Sequence, residues 1–212
     1  MEKNDLVRIN YIGRLENGEI FDLTNEEIAK TEKIFNQHVK YKPVPIIIGA
    51  NFLIPGLDKA LLDMKIGEKK TIEVKQEDGF GPRQANLVQV VPVKNFKDVP
   101  TAGMVVDFQG MKGRIQSVNA GRVRIDFNHP LAGHTLKYDI EITEKIEGVE
   151  NQAKAILEFF GVDNGKIKII EKSIEIDSPV QQQIRQKIAS LIKEHIKTGN
   201  DKIEKVRFVE EY

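Results

Sequence analysis

The sequence contains no cysteine, which excludes disulfides, thiolate catalysis and cysteine-ligated zinc. No apolar run approaches the roughly 18–20 residues of a membrane-spanning helix, and the first residues lack the apolar stretch of a secretory signal. The 32 basic and 32 acidic residues balance, so no overall field favours nucleic acid or an anionic membrane as a partner. We therefore expect a cytoplasmic protein in a reducing compartment.

The usual motifs of group-transfer chemistry are also missing. Neither phosphate-loop pattern occurs, and no serine lies in a G-x-S-x-G elbow. Two of the four histidines, His129 and His134, lie in the segment FNHPLAGH. They could form a metal site, supply a catalytic base, or line a pocket that needs no acid–base chemistry. Their spacing is unusual for zinc and no third histidine is near, so we expect no metal and no cofactor.

The first part of the chain mixes strand and helix patterns. Residues 5–15 alternate apolar and polar side chains, which predicts a strand, and Asn17-Gly18 predicts a hairpin turn. The capping box Thr24-x-x-Glu27 predicts a helix over residues 25–38. A strand, a second helix and another strand are predicted after it, over residues 46–48, 55–65 and 70–74.

From about Asn86 the pattern changes to short strands, which predicts a small all-β block. The strands are predicted over residues 87–93, 103–108, 113–118 and 122–127. Residues 135–146 form another alternating strand that could complete the first sheet. The block between the two parts is therefore interpreted as an inserted domain.

After Gly148 the pattern changes again. The predicted elements are a helix over 149–160, a long strand over 166–176, a helix over 179–197 followed by Gly199, and a strand over 203–209. A strand, a helix and a strand in this order predict a parallel pair. So small a unit has a marginal core. Two alternatives remain: its isoleucine-rich helix joins a second copy of the chain, or it docks onto its own chain.

Several motifs in one order resemble the SlyD-like branch of the FKBP-type peptidyl-prolyl isomerases. The motifs lie in residues 7–22, 53–74, 78–83 and 126–143. The inserted block falls where that branch carries its insert-in-flap chaperone domain. The tail after Gly148 resembles that of the longer archaeal members.

The resemblance implies an α+β fold with an FKBP-like antiparallel sheet wrapped on a short helix, an inserted small β domain and a C-terminal α/β extension. The isomerase domain would comprise residues 1–85 and 128–147, and the insert residues 86–127. The C-terminal α+β domain would comprise residues 148–212 and is a candidate for dimerisation.

The resemblance also implies a proline pocket. The catalytic residues would be Tyr11, Asp22, Ile54 and Phe80. The substrate-binding residues would be Phe21, Leu53, Leu57, His129, Leu131 and Tyr138. In the family, the backbone N–H at the Ile54 position holds a substrate carbonyl. Asp22 would orient Tyr11, meet the polarity of the twisted amide, or have a structural role alone.

The sequence departs from the family pattern at three pocket positions. Leu57 replaces a common tryptophan, Phe80 a tyrosine and Tyr138 a phenylalanine. The segment FNHPLAGH would return the chain from the insert, with His129 and Leu131 at the pocket rim and His134 structural or exposed. There is no histidine-rich tail, so the nickel delivery of some SlyD proteins is not implied.

The implied activity fits the absence of acid–base motifs. Rotation about an X–Pro bond breaks amide conjugation against a barrier of about 18–20 kcal/mol, but no heavy-atom bond forms or breaks. An apolar, water-poor pocket favours the twisted amide, so neither a nucleophile nor a base is needed. The implied function is prolyl isomerisation during protein folding. The alternative is a chaperone or adaptor module with little isomerase activity.

The insert carries more apolar residues than so small a block hides comfortably. Those expected to form a chaperone surface are Val88, Val90, Val91, Val106, Phe108 and Met111, with Val93 and Ile115 nearby in sequence. Part of this set must form the core of the block. The remainder would bind extended, unfolded chains that contain X–Pro bonds.

Overall fold

The computed structural model describes residues 1–162, 165–198 and 201–209. Helices α1 to α4 span Glu26–Thr31, Pro55–Leu62, Val149–Phe159 and Gln182–His195. Strands β1 to β7 span Leu6–Leu15, Ile20–Leu23, Val44–Ile47, Lys69–Val74, Val88–Pro92, Val105–Phe108 and Met111–Asn119. Strands β8 to β14 span Arg122–Asp126, Leu136–Lys145, Lys166–Ile170, Ser173–Asp177, Lys197–Thr198, Asp201–Lys202 and Lys205–Val209. The chain separates into two units, Met1–Val74 with Leu136–Tyr212, and Lys75–Thr135.

The first unit contains a five-stranded antiparallel sheet in the order β2-β1-β9-β4, with β3 also paired to β1. Alternation along the strands buries one face of each, as Ile140 and Ile142 of β9 illustrate. Helix α2 begins with Pro55 at its first turn and buries Leu57 and Leu61. The α+β fold class predicted from the sequence is confirmed.

The C-terminal part of the same unit has a three-stranded sheet in the order β10-β11-β14. Strand β14 runs parallel to β11, as the strand–helix–strand order predicted. Helices α3 and α4 pack in a core that joins Leu6 and Ile47 of the first sheet to Ile156, Ile174 and Ile188. This core agrees with the alternative in which the extension docks onto its own chain. The described helices include none with both the length and the apolar character of a membrane span.

The second unit contains a four-stranded antiparallel sheet in the order β5-β8-β7-β6. Its core is formed by Ile115, Val123 and Ile125, which are at most 1% exposed. The turn between β7 and β8 places Ala120 and Gly121 at positive φ, as a two-residue hairpin requires. Because the unit spans 75–135, it also includes chain on both sides of the predicted insert, whose boundaries remain a prediction.

The first helix is shorter than the predicted span of 25–38. Helix α1 ends at Thr31, and Lys33 adopts a left-handed conformation with φ 60°. The side chains whose spacing indicated more helix form no buried face: Ile34, Phe35 and Val39 are 42%, 44% and 46% exposed, and the Phe35 ring stacks on Tyr41. The prediction was wrong because apolar spacing was taken for a buried face.

The N-cap of α1 is Asn25 rather than the predicted Thr24. The Asn25 side chain accepts a hydrogen bond from the Ile28 N–H at 3.0 Å. The Thr24 hydroxyl instead donates to Asn10 and accepts from the Tyr11 N–H, both at 3.0 Å. The Thr24 hydroxyl therefore links the residue before the helix N-cap to β1.

The predicted long strand over 166–176 is a hairpin. Strand β10 ends at Ile170 and β11 begins at Ser173, and Glu171 between them has φ 51°. One strand was predicted from the isoleucines on both sides, but the alternation breaks at Glu171-Lys172-Ser173, and the turn lies there. Gly199, predicted to follow the last helix, lies outside the described residues.

Candidate active site

Neighbouring strands of the first sheet bring four predicted site residues together. Tyr11 lies on β1, Phe21 and Asp22 on β2, and Tyr138 on β9. The register pairs Gly13 with Asp22 on one side and with Tyr138 on the other. Residues that are far apart in sequence therefore converge around one glycine.

The aromatic rings of this group contact one another. The centroid of the Tyr138 ring lies 6.1 Å from that of Tyr11 and 5.6 Å from that of Phe21, in tilted and edge-to-face arrangements. A side chain at Gly13 would meet the Phe21 ring at 2.6 Å and the Tyr138 ring at 3.1 Å. The missing Cβ of Gly13 therefore makes the room that the two rings occupy. We call Tyr11, Phe21, Asp22 and Tyr138 the aromatic cluster.

One carboxylate orients the cluster. The Tyr11 hydroxyl donates a hydrogen bond to Asp22 Oδ2 at 2.8 Å. Burial, followed by the charge and hydrogen bond of Asp22, raises the pKa of Tyr11 above its usual range. Burial and the charge of Asp22 likewise raise the pKa of Tyr138 to about 12. Both phenols are protonated near neutral pH. The Tyr11–Asp22 hydrogen bond has the geometry of one sequence-based alternative, in which Asp22 orients Tyr11, and the catalytic role of Asp22 stays a prediction.

The start of α2 carries Leu53, Ile54 and Leu57. Ile54 is the N-cap, and its carbonyl accepts hydrogen bonds from Leu57 and Asp58 at 3.0 and 3.2 Å. Within the described part of the chain, no group accepts a hydrogen bond from the Ile54 N–H. Leu53 and Ile54 are half-buried, whereas Leu57 is 2% exposed. An unpaired backbone donor at a helix start is available to a ligand carbonyl.

The remaining predicted pocket residues lie in the second unit. The rings of Phe80 and His129 stack in parallel with their centroids 4.2 Å apart. The Leu131 N–H donates to His129 Nδ1 at 3.2 Å, which fixes the imidazole. The Gly133 N–H donates to the Gly81 carbonyl at 2.8 Å and joins the two loops that carry the stacked rings. The structure therefore brings Phe80, His129 and Leu131 together.

The sequence interpretation missed a polar network beside these loops. Asp126 is 4% exposed and forms an ion pair with Arg83. It also accepts hydrogen bonds from Gln116 Nε2 and Asn128 Nδ2, both at 2.8 Å. Asn128 in turn exchanges two hydrogen bonds with the Gln84 backbone. Asp126 ends a strand in which charged and apolar residues alternate, so the sequence pattern did not indicate its burial. A buried carboxylate requires partners, and this network supplies them.

The predicted chaperone residues divide between core and surface. Val91, Val106 and Phe108 pack against the insert core, and Val88 is half-buried. Val90 and Met111 are 55% and 42% exposed. The sequence interpretation missed other exposed apolar residues of the insert, namely Val99, Met104 and Val105. Strand alternation in β6 could have indicated Val105, since its neighbour Val106 points inward.

A cleft of about 270 Å³ lies on the other face of the first sheet. It is lined by residues that alternate with those of the aromatic cluster, among them Asn10, Ile12, Asp139 and Glu141. Of the predicted site residues, only Tyr11 borders it. In the described ranges no group of three or more potential metal ligands comes together. The His134 N–H donates to the Leu131 carbonyl at 3.4 Å.

Comparison with known proteins identifies relatives for both units. A family model described as the IF domain of FKBP26 matches residues 89–131. The short-type peptidyl-prolyl cis-trans isomerase of Methanocaldococcus jannaschii is 35% identical over 147 residues, covering 68% of this chain and 93% of the relative. The probable FKBP-type 16 kDa isomerase of Pseudomonas fluorescens is 32% identical, covering 67% and 89%. SlyD of Haemophilus influenzae is 32% identical, covering 67% and 70%.

The chain belongs to the FKBP-type peptidyl-prolyl cis-trans isomerases, a family of enzymes. It is a SlyD-like member of that family, because SlyD proteins and the IF-domain model both match it. The resemblance inferred from the sequence motifs is confirmed.

Proposed function

We propose that this protein accelerates cis–trans isomerisation of X–Pro bonds during protein folding. The observation that carries the proposal is the Tyr11–Asp22 hydrogen bond of 2.8 Å within the aromatic cluster of the first sheet, in a chain from this family. The cytoplasm is the proposed place of action, since the chain has no cysteine and no excess of charge.

The chemistry follows from the nature of the reaction. The twisted amide has less charge separation than the planar one, so apolar walls favour it over water. Tyr11, Phe21 and Tyr138 supply aromatic walls, and the Ile54 N–H holds the substrate carbonyl. Asp22 keeps the Tyr11 hydroxyl in one orientation. Tyrosine is uncharged near neutral pH even at its usual pKa, and the raised pKa values of Tyr11 and Tyr138 extend this neutrality to more alkaline pH.

The other substrate contacts are proposed from the family motifs. They are Leu53, Leu57, Phe80, His129 and Leu131. Phe80 lacks the hydroxyl of the usual family tyrosine, so a hydrogen bond worth about 0.5–1.5 kcal/mol is not made there. The flat face of the ring remains available for an apolar contact with proline.

A proline-limited refolding assay tests this activity. A catalytic quantity of the intact protein should accelerate the slow phase, and Asp22→Ala or Phe80→Ala should reduce the acceleration. Glu16→Ala serves as the control, because Glu16 is an exposed carboxylate in the turn of the same hairpin that carries Asp22. Absence of any acceleration by the intact protein would refute the proposal.

We further propose that the insert binds unfolded chains. The support is the exposure of Val90, Met104, Val105 and Met111, which are 55%, 41%, 61% and 42% exposed. Val90 and Val105 lie on the edge strands β5 and β6, and exposed methionine and valine side chains suit promiscuous binding of extended segments. Captured chains would then raise the local concentration of prolyl bonds for the isomerase.

Suppression of aggregation measures the binding by the insert. Val105→Ser with Met111→Ser should weaken suppression, whereas Ile66→Ser, on another exposed apolar residue, should not. The alternative function is a chaperone or adaptor without isomerase activity. Suppression by the intact protein together with an unchanged proline-limited refolding rate would favour that alternative.

A homodimer through the C-terminal extension is proposed as well. Strands β10 and β14 leave Ile169, Ile170 and Val209 about two-fifths exposed, at 39%, 40% and 39%. An exposed apolar strand edge favours pairing with a second copy. Sedimentation of the full chain should give a dimer that Ile170→Asp weakens and Ile66→Asp does not. A monomer for the unchanged chain would contradict the proposal.

A further inference from the structure

The segment that leads into α2 has few backbone hydrogen bonds of its own. The Gly49 N–H donates to Asp58 Oδ1 at 3.2 Å and the Ala50 N–H to the Ile47 carbonyl at 3.3 Å. From Asn51 to Ile54, no backbone N–H donates to any group in the described ranges. Asn51 also has a positive φ of 58°. The position of this segment must therefore be fixed by its side chains.

Those side chains pack against the C-terminal extension. Ala50 and Phe52 lie against the core that contains α3 and α4. The Phe52 ring contacts the Phe159 ring with the centroids 4.3 Å apart and the planes inclined by 58°. Such pairs contribute beyond the area they bury and prefer a defined geometry. Phe159 belongs to the extension, more than a hundred residues from the segment that it supports.

The end of α3 is itself anchored to the first sheet. Glu158 Oε2 lies 2.6 Å from Arg8 Nη2, and Glu158 Oε1 lies 2.6 Å from Lys42 Nζ. Arg8 also donates to the Pro43 carbonyl at 3.4 Å, just before β3. This double ion pair fixes the residue next to Phe159. The ion pairs of Glu158 therefore hold the ring of Phe159 in place beside Phe52.

We propose that Phe159 of the C-terminal extension is a positioning residue for the isomerase site, acting through Phe52 on the backbone N–H of Ile54. The inference rests on the proposed prolyl isomerase function, in which that N–H holds the substrate carbonyl. One residue separates Phe52 from Ile54, so a displaced Phe52 ring shifts the donor. The C-terminal extension then helps to position the isomerase site.

Phe159→Ala tests the inference on the full chain, with Phe208→Ala as the matched control. Phe208 is another phenylalanine of the extension, and it packs against the same core as Phe52 without a ring contact to Phe52, whereas Phe159 is 38% exposed and does contact that ring. Phe159→Ala should lower kcat/KM for a proline tetrapeptide by about three- to tenfold, the range for weakening one hydrogen bond, mostly through a higher KM. Phe208→Ala should leave kcat/KM unchanged, and Phe159→Tyr should restore it.

A second measurement does not depend on activity. In ¹H–¹⁵N spectra, Phe159→Ala should shift the amide signals of residues 51–54, and Phe208→Ala should not. Equal effects of the two alanine variants on these amides and on kcat/KM would overturn the inference. If the intact protein shows no isomerase activity, the proposed function fails, and the amide shifts alone then decide whether Phe159 positions this segment.

Discussion

Gly13 shows how one residue determines the geometry of the candidate site. It lies between Asp22 and Tyr138 in the sheet register, and its missing side chain leaves the space filled by the Phe21 and Tyr138 rings. The glycine has no unusual backbone angle to explain its presence, since it is not among the positive-φ glycines. Its role is close packing, which is typical of glycine where side chains cross a strand.

Gly13→Ala should disturb the aromatic cluster directly. The new Cβ would lie 2.6 Å from the Phe21 ring, a distance at which the ring must move. Overpacking of this kind costs about 1–3 kcal/mol in the free energy of unfolding. We expect lower kcat/KM on a proline tetrapeptide as well as a lower melting temperature.

The matched control is Gly113→Ala in the insert. There the new Cβ would meet Ile125 and Phe127, each at 2.7 Å, so the steric conflict is similar. We expect this variant to lose stability in the insert while keeping activity on the short peptide. Unchanged peptide activity in Gly13→Ala would mean that the Phe21 ring position does not matter for catalysis.

At the scale of the element, local sequence signals predicted strands better than the ends of helices. The alternation in residues 5–15 corresponds to β1, because period-two burial is a local property. Helix α1 ends earlier than predicted, and Ile34 and Phe35 beyond it stay about two-fifths exposed, with Phe35 stacked on Tyr41 rather than on a helix face. The hairpin of β10 and β11 was missed although the three polar residues from Glu171 to Ser173 interrupt the alternation, because no glycine or proline marks the turn and Glu171 itself adopts the positive φ.

The candidate site depends on register, which the sequence pattern does not contain. The motifs named Tyr11, Phe21 and Tyr138 through family resemblance, but their contact results from pairing of β1 with both β2 and β9. Likewise, the partners of Asp126 come from separate loops and strands. Such long-range pairings depend on the whole fold, whereas caps and alternation depend on neighbours in the chain.

The network of Asp126 suggests a test at the junction between the insert strands and their flanking loops. Asp126→Asn keeps the size of the side chain but removes the charge that pairs with Arg83. Since hydrogen bonds to charged groups contribute about 1.5–3 kcal/mol, unfolding of the insert should become easier by a similar amount. Hydrogen exchange of the β7 and β8 amides would report this change.

Asp98→Asn provides the comparison for that experiment. Asp98 is exposed in the same unit, so its charge should contribute little. Faster exchange in Asp126→Asn but not in Asp98→Asn is the expected outcome. If the β7 and β8 amides exchange equally in both variants, the buried carboxylate has no stabilising role.

At the scale of the whole molecule, the C-terminal extension and the first sheet share one hydrophobic core. Leu6 and Ile47 lie in the same cluster as Ile156 and Ile192. The sequence suggested a separate domain from residue 148 because its pattern changes there, but a change of pattern says nothing about which surfaces meet. A shared core makes cooperative unfolding of the two parts the expectation.

The anchor at Glu158 makes this association sensitive to acid. Burial acts to raise the pKa of Glu158, but the hydrogen bonds from Arg8 and Lys42 outweigh this effect and lower that pKa below its usual 4.5. A pKa that is lower in the folded state means that ionised Glu158 stabilises the fold above pH 4.5, and this stabilisation is lost as pH falls through the folded pKa.

Glu158→Gln should therefore lower the free energy of unfolding by about 1–2 kcal/mol at pH 7. This difference in stability between the variant and the unchanged protein, the stability gap, should close on acidification. Thermal unfolding at pH 7, 5 and 3.5 measures the stability gap. The control is Glu150→Gln, because Glu150 forms an exposed pair with Lys154 on the same helix, and this variant should show almost no stability gap at any of these pH values. A gap that stays constant across this pH range would show that the Glu158 charge does not hold the extension to the sheet.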